Sequence, residues 1–532
     1  MVEQKILRFC IERGFLLDKE LLEAFSELED PESVKMIIES IYNASHQRMI
    51  TKNFFSNFKN TEQIFSMLPI ENQKYVEKLK IKLGLNIEIS KELTLQKEIV
   101  IDNKTERRQT DQDKFPDVKI ISMPHSPGRK IEVEDFSKHF KNRFIEMRNI
   151  LQEHAELTNL VSIGKISGNR QGITLIGMVS SKRVTKNKNI LLQVEDLTGK
   201  ISVLINVNKP ELMKKAEDIV MDDVIAIKCS GSREIVFVND IIFPEAMLQE
   251  RKKAPNEIYA AFTGDLHVGS NKFMEKDFIK FIDFLNGKIP SNTDVSKIKY
   301  LFIIGDIVCG VGLYPGQDKD LVIKDLEGQF QKAAELLDMI RKDIKIIIAP
   351  GNHDGVRNME PQPVLSEKYA WALHELDNVL LTTNPALVNI GASENFSGLN
   401  VLMYHGYSFH YYVDNVPSLR RVKATNKPEL IMSFLLKRRH LAPSHQSTLY
   451  FPSERDPLLI REIPDIFLSG HTHKSAVTYY NNILIISSSS WESKTDFQEK
   501  MGNEPDFCKV PLFNLQTRAI KILDFEGKDA NE

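Results

Sequence analysis

EIYAAFTGDLHVG (residues 257–269) is an apolar run that breaks into Gly-Asp-x-His, and its reading decides the fold of the larger part of the chain. The same pattern returns four times, as KYLFIIGDIVCG (299–310), IKIIIAPGNHD (344–354), NVLMYHG (400–406) and DIFLSGHTH (465–473). Each run has the length of a buried strand, and each ends in glycine and polar residues. Residues able to bind a ligand therefore fall just past the carboxyl ends of strands, where open α/β sheets gather them. Between the second and third runs, Leu326, Phe330, Ala333 and Leu337 recur at helical spacing and predict a helix covering the sheet. The polar residues at the breaks are carboxylates, an amide and imidazoles. They are the donor types that take hard or borderline divalent metals. Gly264, Gly305, Gly351, Gly406 and Gly470 flank them, as tight turns and close backbone approach require.

A lone histidine is usually structural, and His46, His125 and His374 sit in no motif. Five motifs after five strands are a joint event. Their order resembles that of the calcineurin-like metallophosphoesterases. That resemblance implies two divalent ions, Mn2+ or Mg2+, bridged by Asp306. It implies Asp265, His267 and His473 on one ion and Asn352, His405 and His471 on the other. It makes His353 the catalytic histidine, approaching the phosphate, and Asp354 a group that orients a neighbouring histidine. No P-loop of the GxxxxGK type accompanies the motifs.

Upstream, ITLIGMVSSKRVT, NILLQVED, KISVLINV, DVIAIKCSGS and EIVFVNDIIF (173–243) are five β-rich runs. A helical stretch, KPELMKKAEDI, lies between the third and fourth, which is the layout of an OB-fold barrel. Lys182, Arg183, Lys186 and Lys188 cluster near its first turn, while Phe237 and Phe243 are its only aromatics. A nucleic-acid face or a structural barrel are both open. Phe136, Phe140, Phe144, Met147 and Leu151 predict a helix just before it. Residues 93–134 are polar, with little periodicity, and read as a flexible linker. Residues 1–92 read as helices, with stripes at Leu21, Leu22, Phe25, Leu28 and at Val34, Ile37, Ile38, Ile41. The expected organisation is thus a helical domain (1–92), a linker (93–134), a helix plus OB-fold barrel (135–250) and a phosphoesterase domain (251–527). The last is expected to be an α/β domain whose β-sandwich is flanked by helices.

The chain has 532 residues, enough for several cores, and a formal net charge of -3, so no global basic field marks a nucleic-acid partner. Its four cysteines form no CxxC pair, which excludes a zinc ribbon and a disulfide framework and fits a reducing cytoplasm. Cys309 follows a metal motif but reads as a small buried thiol. No run reaches the ~18 apolar residues of a membrane span.

The domain order is similar to that of the small subunits of archaeal D-family DNA polymerases, relatives of the B-subunits of eukaryotic replicative polymerases. YHGYSFHYYVDNVP, LLKRRHLAPSHQSTLYFPSERDPLLI, PDIFLSGHTH and KMGNEPDFCKVPLFNLQT carry the likeness, over roughly residues 135–525. The resemblance implies a 3′–5′ exonuclease that proofreads single-stranded or frayed DNA ends. It implies a large catalytic subunit as the partner that synthesises DNA, with a sliding clamp as a further contact. The eukaryotic relatives lack the ligands that this chain keeps. A non-catalytic scaffold and a stand-alone nuclease or cyclic-nucleotide phosphodiesterase are the alternatives. Lys437, Arg438, Arg439 and His440, with Arg420 and Arg421 upstream, form the densest basic cluster of the last domain. Phosphate contact, a solvated helix end or a subunit interface would each explain it. Tyr407, Phe409, Tyr411 and Tyr412 crowd behind His405, and Tyr407 is a candidate for stacking on a 3′ base.

Overall fold

The computed structural model describes residues 117–125, 129–290 and 293–527, and before them residues 2–17, 22, 25, 34, 35, 38, 39, 42, 49 and 50. It divides into two compact units at Asp102/Asn103. In the first, a helix spans Val2–Arg13, and strands β1 (Leu16–Leu17) and β2 (Met49–Ile50) pair in parallel. Of the expected stripes, Phe25, Val34 and Ile38 are helical and buried, and Leu22 is half-buried. Leu21, Leu28, Ile37 and Ile41 lie outside the described residues.

The second unit opens with a departure from the sequence reading. Within the stretch read as linker lies a strand, β3 (Val118–Ser122), paired antiparallel with β13 (Ala386–Ile390). The five residues VKIIS are too few to show a period, and the partner strand is far away in sequence. Only the tertiary pairing reveals it. Of the expected linker, residues 93–116 and 126–128 lie outside the described residues, and its last two residues already belong to a helix. A helix over Val133–Gln152 follows, its amino end closed by reciprocal bonds between Glu132 and Asp135. Its Phe144, Met147 and Leu151 pack on Ile176, Met178 and Val224 of the next element.

That element is a closed barrel of β4 (Arg170–Val184), β5 (Ile190–Asp196), β6 (Gly199–Ile205), β7 (Val224–Gly231) and β8 (Ile235–Ile242). Its strand order is β4-β5-β6-β8-β7, with a helix over Pro210–Glu217 between β6 and β7. Period-two alternation fills the inside with Leu192, Val194, Ile201, Val203, Ile225 and Ile227. Lys182 leaves the basic cluster. Its Nζ donates to the carbonyls of Glu217 (2.6 Å) and Ile219 (2.8 Å), satisfying a helix end. Arg183, Lys186 and Lys188 stay exposed.

The remaining chain builds two six-stranded sheets. The first runs β12 (Val379–Leu381), β11 (Lys345–Ala349), β10 (Ile298–Ile304), β9 (Tyr259–Thr263), β18 (Lys509–Asn514), β19 (Ile520–Asp524). The second runs β16 (Ala476–Tyr480), β17 (Ile483–Ser487), β15 (Ile466–Ser469), β14 (Leu399–Met403), β13, β3. Central strands are buried on both faces, which is why their runs are continuous rather than alternating in hydropathy. On β10, Tyr300, Phe302 and Ile304 face the second sheet, where Val388, Val401 and Leu468 complete the shared core. Leu301 and Ile303 face the other way, onto helices Glu275–Leu285 and Leu326–Asp338. Helix Pro428–Arg438 covers the second sheet through Ile431, Leu435 and Phe467. The result is the expected layered α/β domain, a β-sandwich flanked by helices. Strands β9, β10 and β11 are mutually parallel, as are β14 and β15, so each sheet presents adjacent carboxyl ends. No helix among the described residues is long and apolar enough to cross a membrane. All four cysteines are buried and unpaired.

Candidate metal centre

The five breaks meet where the two sheets' carboxyl ends converge. Asp265, His267 and His473 bring ligand atoms within 4.8 Å of one another, and so do Asp306, His405 and His471. In the first group, His267 Nε2 and His473 Nε2 lie 3.1 Å apart, and His473 Nε2 is 3.5 Å from Asp265 Oδ1. In the second, Asp306 Oδ2 is 3.2 Å from His405 Nε2, which is itself 3.0 Å from Asn352 Oδ1. His353 sits at the open edge. Its Nδ1 bonds the Cys309 carbonyl at 2.9 Å and its Nε2 is 4.0 Å from Asp306 Oδ2. All the motif residues expected to act together are brought together.

The backbone holds these side chains in an uncommon conformation. Asp265 (φ 50°), His267 (52°), Asp306 (48°), His471 (69°) and His473 (53°) are all left-handed without being glycine. Such geometry costs free energy and persists where surroundings over-determine it, typically at functional sites. Two glycines are sterically required. A Cβ on Gly305 would lie 2.3 Å from His405 Nδ1, and one on Gly351 would lie 2.2 Å from Asp306 Oδ1.

The electrostatics are those of a site lacking its own charge balance. Burial drives the imidazoles of His267 and His473 down to about 3, so both are neutral with ring nitrogens face to face. Burial pushes Asp265 up to about 8. Asp306 is equally buried, yet His405 and His353 hold it well below the usual carboxylate range. Burial lowers His405, but Asp306 outweighs it and lifts the imidazole to about 9. His267 Nδ1 is buried without a hydrogen-bond partner. Carboxylates, neutral imidazoles and an amide oxygen are what a divalent cation needs. One placed beside Asp265 would remove the reason for its shift.

Asp354 departs from its expected role. Its carboxylate accepts from the backbone N–H of Val308 (3.0 Å) and Gly351 (2.7 Å), so it braces two loops rather than a histidine. Burial raises it to about 7. The basic cluster is corrected more fully. Arg438 is 2% exposed and donates from Nε to Asp223 of the barrel at 2.9 Å. Arg439 donates to the carbonyls of Ile460 and Arg461, and His440 bonds Asp456. Lys437 lies over the Phe243 ring. Arg438 and Lys437 join the barrel to the sandwich, whereas Arg439 and His440 bond within the sandwich, and a run of four basic residues in sequence does not reveal these partners. Tyr407 is half-buried with its ring 5.8 Å from that of His471, whereas Phe409 and Tyr412 are core.

Three residues near the site escaped the sequence reading. His410 is exposed, with its ring 5.1 Å from that of His471. Gln498 lies 2.9 Å from His473 Nδ1, and Glu492 is buried and accepts from Ser270 at 2.6 Å. None follows a strand in a motif, so no sequence signal marks them. Cys309 is buried, as expected of a structural thiol, and burial pushes it up to about 12; its sulfur nevertheless groups with His267 and His353.

Residues 259–475 match the calcineurin-like phosphoesterase family. The DNA polymerase II small subunit of Pyrococcus furiosus is 37% identical over 408 residues, covering 75% of this chain and 65% of that protein. The chain thus spans under two thirds of that relative's length. The protein of the same name from Methanothermobacter thermautotrophicus is 35% identical over 398 residues, covering 74% of this chain and 80% of that protein. Among solved structures, an archaeal phosphodiesterase aligns with 50% of this chain and 99% of its own at 12% identity and a TM-score of 0.25, too low to carry a conclusion.

Proposed function

The chain belongs to the family of DNA polymerase II small subunits, and on that premise we propose that it is the 3′–5′ exonuclease subunit of a two-subunit replicative DNA polymerase. The observation that carries this reading is the pair of three-residue ligand groups within one buried site. Asp265, His267 and His473 would hold one divalent ion, and Asn352, His405 and His471 the other, with Asp306 between them. Two ions there, manganese or magnesium, would supply Lewis acidity and charge compensation to the phosphoryl oxygens.

The chain's own residues do the rest. Asp354 fixes the loop carrying Asn352 and His353 against the loop carrying Asp306, through its two backbone bonds. Gln498 and the imidazole of His473 share a bond that sets the ring's plane. His353 donates from Nδ1 to the Cys309 carbonyl, which leaves Nε2 to hold the exchangeable proton. Burial lowers this histidine, but Asp306 outweighs it and raises its pKa, so Nε2 is disposed to protonate a leaving oxygen. The 3′–5′ direction is part of the proposal and rests on the resemblance alone.

The barrel is read as an OB-fold, because its strand order and the position of its helix are those of that fold. It and the sandwich form the proposed dock for a large catalytic subunit. The 118–122 strand, which the sequence reading placed in the linker, belongs to that dock. Single-stranded or frayed DNA is the proposed substrate, and a sliding clamp a further partner.

The test is digestion of 3′- and 5′-end-labelled single-stranded DNA with added manganese, with and without a co-expressed large subunit. Loss of nucleotides from the 3′ end supports the reading. A chain that binds the large subunit but cleaves nothing under either condition would be a scaffold instead.

A further inference from the structure

Residues 311–316, Val-Gly-Leu-Tyr-Pro-Gly, are six consecutive exposed residues with no charge and a single polar group, the Tyr314 hydroxyl. Val311, Leu313 and Tyr314 are 46%, 42% and 45% exposed. A run like this costs solvation without return unless something covers it.

The loop is held firmly from below. Gln317, almost fully buried, donates to the carbonyls of Cys309 (3.2 Å) and Gly310 (3.3 Å) and accepts from Leu313 N (2.9 Å). Gln329, fully buried, accepts from Gly310 N (2.9 Å) and donates back to its carbonyl (3.2 Å). The Tyr314 hydroxyl donates to Asp320 Oδ2 at 2.9 Å, anchoring the far end of the ring. The backbone is thus preorganised while the apolar side chains remain in water.

Its root is the metal centre. The loop leaves directly from Cys309 and Gly310, and the Cys309 carbonyl is the one that orients His353. A Cβ on Gly310 would lie 2.4 Å from the His353 carbonyl and 3.0 Å from Leu313 Cδ1. The patch is therefore continuous with the open edge at which His353 stands.

We propose that this loop is a stacking platform for the terminal bases of a single nucleic-acid strand, with Tyr314 and Leu313 as its contacts. The proposal rests on the phosphodiesterase reading of the centre. A phosphate at the centre carries its sugar and base to within a nucleotide of this edge. Base faces are apolar and sequence-tolerant partners for an exposed ring. A protein seated on the loop would instead cover the edge from which His353 must be reached.

The experiment uses the full chain with Leu313→Ser and Tyr314→Ala together. Both residues are exposed, so the fold should hold. The first measurement is binding of a single-stranded oligonucleotide carrying 2-aminopurine at its 3′ end, in EDTA, read by anisotropy and by quenching. Affinity should fall about tenfold or more, and the quenching should be lost. The second is manganese-dependent hydrolysis of bis(p-nitrophenyl) phosphate, which should keep its wild-type kcat. Unchanged oligonucleotide affinity and quenching in the variant would overturn the proposal. So would unchanged oligonucleotide binding with lost binding of the large subunit, which would make the loop a protein interface. If the wild type hydrolyses neither substrate, the phosphodiesterase reading fails by itself, and the binding measurement still decides the loop.

Discussion

Two buried polar clusters in the second unit both set carboxylates against histidines, and they differ in whether their polar atoms are satisfied from within. At the seam between the 133–152 helix and the sandwich, Arg143, Asp456, His139 and His440 are all 1% exposed or less. Asp456 Oδ2 accepts from Arg143 Nε at 2.5 Å and from His440 Nε2 at 2.9 Å, and Oδ1 accepts from Leu458 N at 3.0 Å. His440 Nδ1 accepts from Ala442 N, and His139 bonds both Ser453 O and Arg143. One cation meets one anion, and no side-chain nitrogen or oxygen of the four lacks a hydrogen-bond partner. At the metal centre, by contrast, Asp265 faces His267 and His473, which burial keeps neutral, while Asp306 holds the charge on His405. A ring nitrogen of His267 is orphaned, and five residues are left-handed. A satisfied network is structural. An unsatisfied, strained one is built to bind something from outside.

The comparison is broken most directly by Asp306→Ala. If the centre is the functional cluster, the variant loses essentially all manganese-dependent cleavage while its unfolding midpoint without metal stays within a few degrees of wild type. Full activity in this variant would remove Asp306 from between the proposed ions. Next, His353→Ala should lower single-turnover cleavage by ~10²–10⁴-fold and leave manganese binding by calorimetry intact. A lost equivalent of metal would make His353 a ligand.

Arg143→Ala tests the other side. It leaves Asp456 buried without its cation, at a cost of about 3–5 kcal/mol in denaturant unfolding, and leaves activity per folded molecule unchanged. Arg143→Met combined with Asp456→Leu should recover part of that loss, because the uncompensated carboxylate is gone while His440 Nε2 and Leu458 N lose their acceptor. A single variant as stable as wild type would show that the seam contributes nothing. The smallest effect sharpens the contrast. Manganese at about 100 times its dissociation constant should stabilise the wild type by about 2.7 kcal/mol. The stabilisation should survive Arg143→Ala and disappear in Asp306→Ala.

The motif residues were legible because each is anchored by a covalent neighbour, the apolar run before it. Asp354 was legible as a position but not as a role, because its partners are backbone amides. The basic run 437–440 misled for the opposite reason. Its basic residues are local in sequence, but Asp223, which neutralises Arg438, and Asp456, which accepts from a neutral His440, come from other segments. Lys182 was lost from the barrel's basic cluster in the same way, to two helix carbonyls. The exposed VGLYPG loop carries no motif. Apolar residues after a strand read as core until their exposure is seen.

The sequence by itself determined the five strands that precede the motifs, those carboxyl-end motifs, the five-stranded barrel with its intervening helix, and the identities of the motif histidines and carboxylates. These follow from hydropathy period and local turn chemistry, which act over a few residues. Only the tertiary structure decided that β3 joins the second sheet, that Arg438 is a buried strut to the barrel, and that His410, Glu492 and Gln498 stand beside the centre. Those facts depend on which distant segments meet. Pairing a charge or adding a strand is settled by the partner that burial brings, and the partner is not written beside it in the chain.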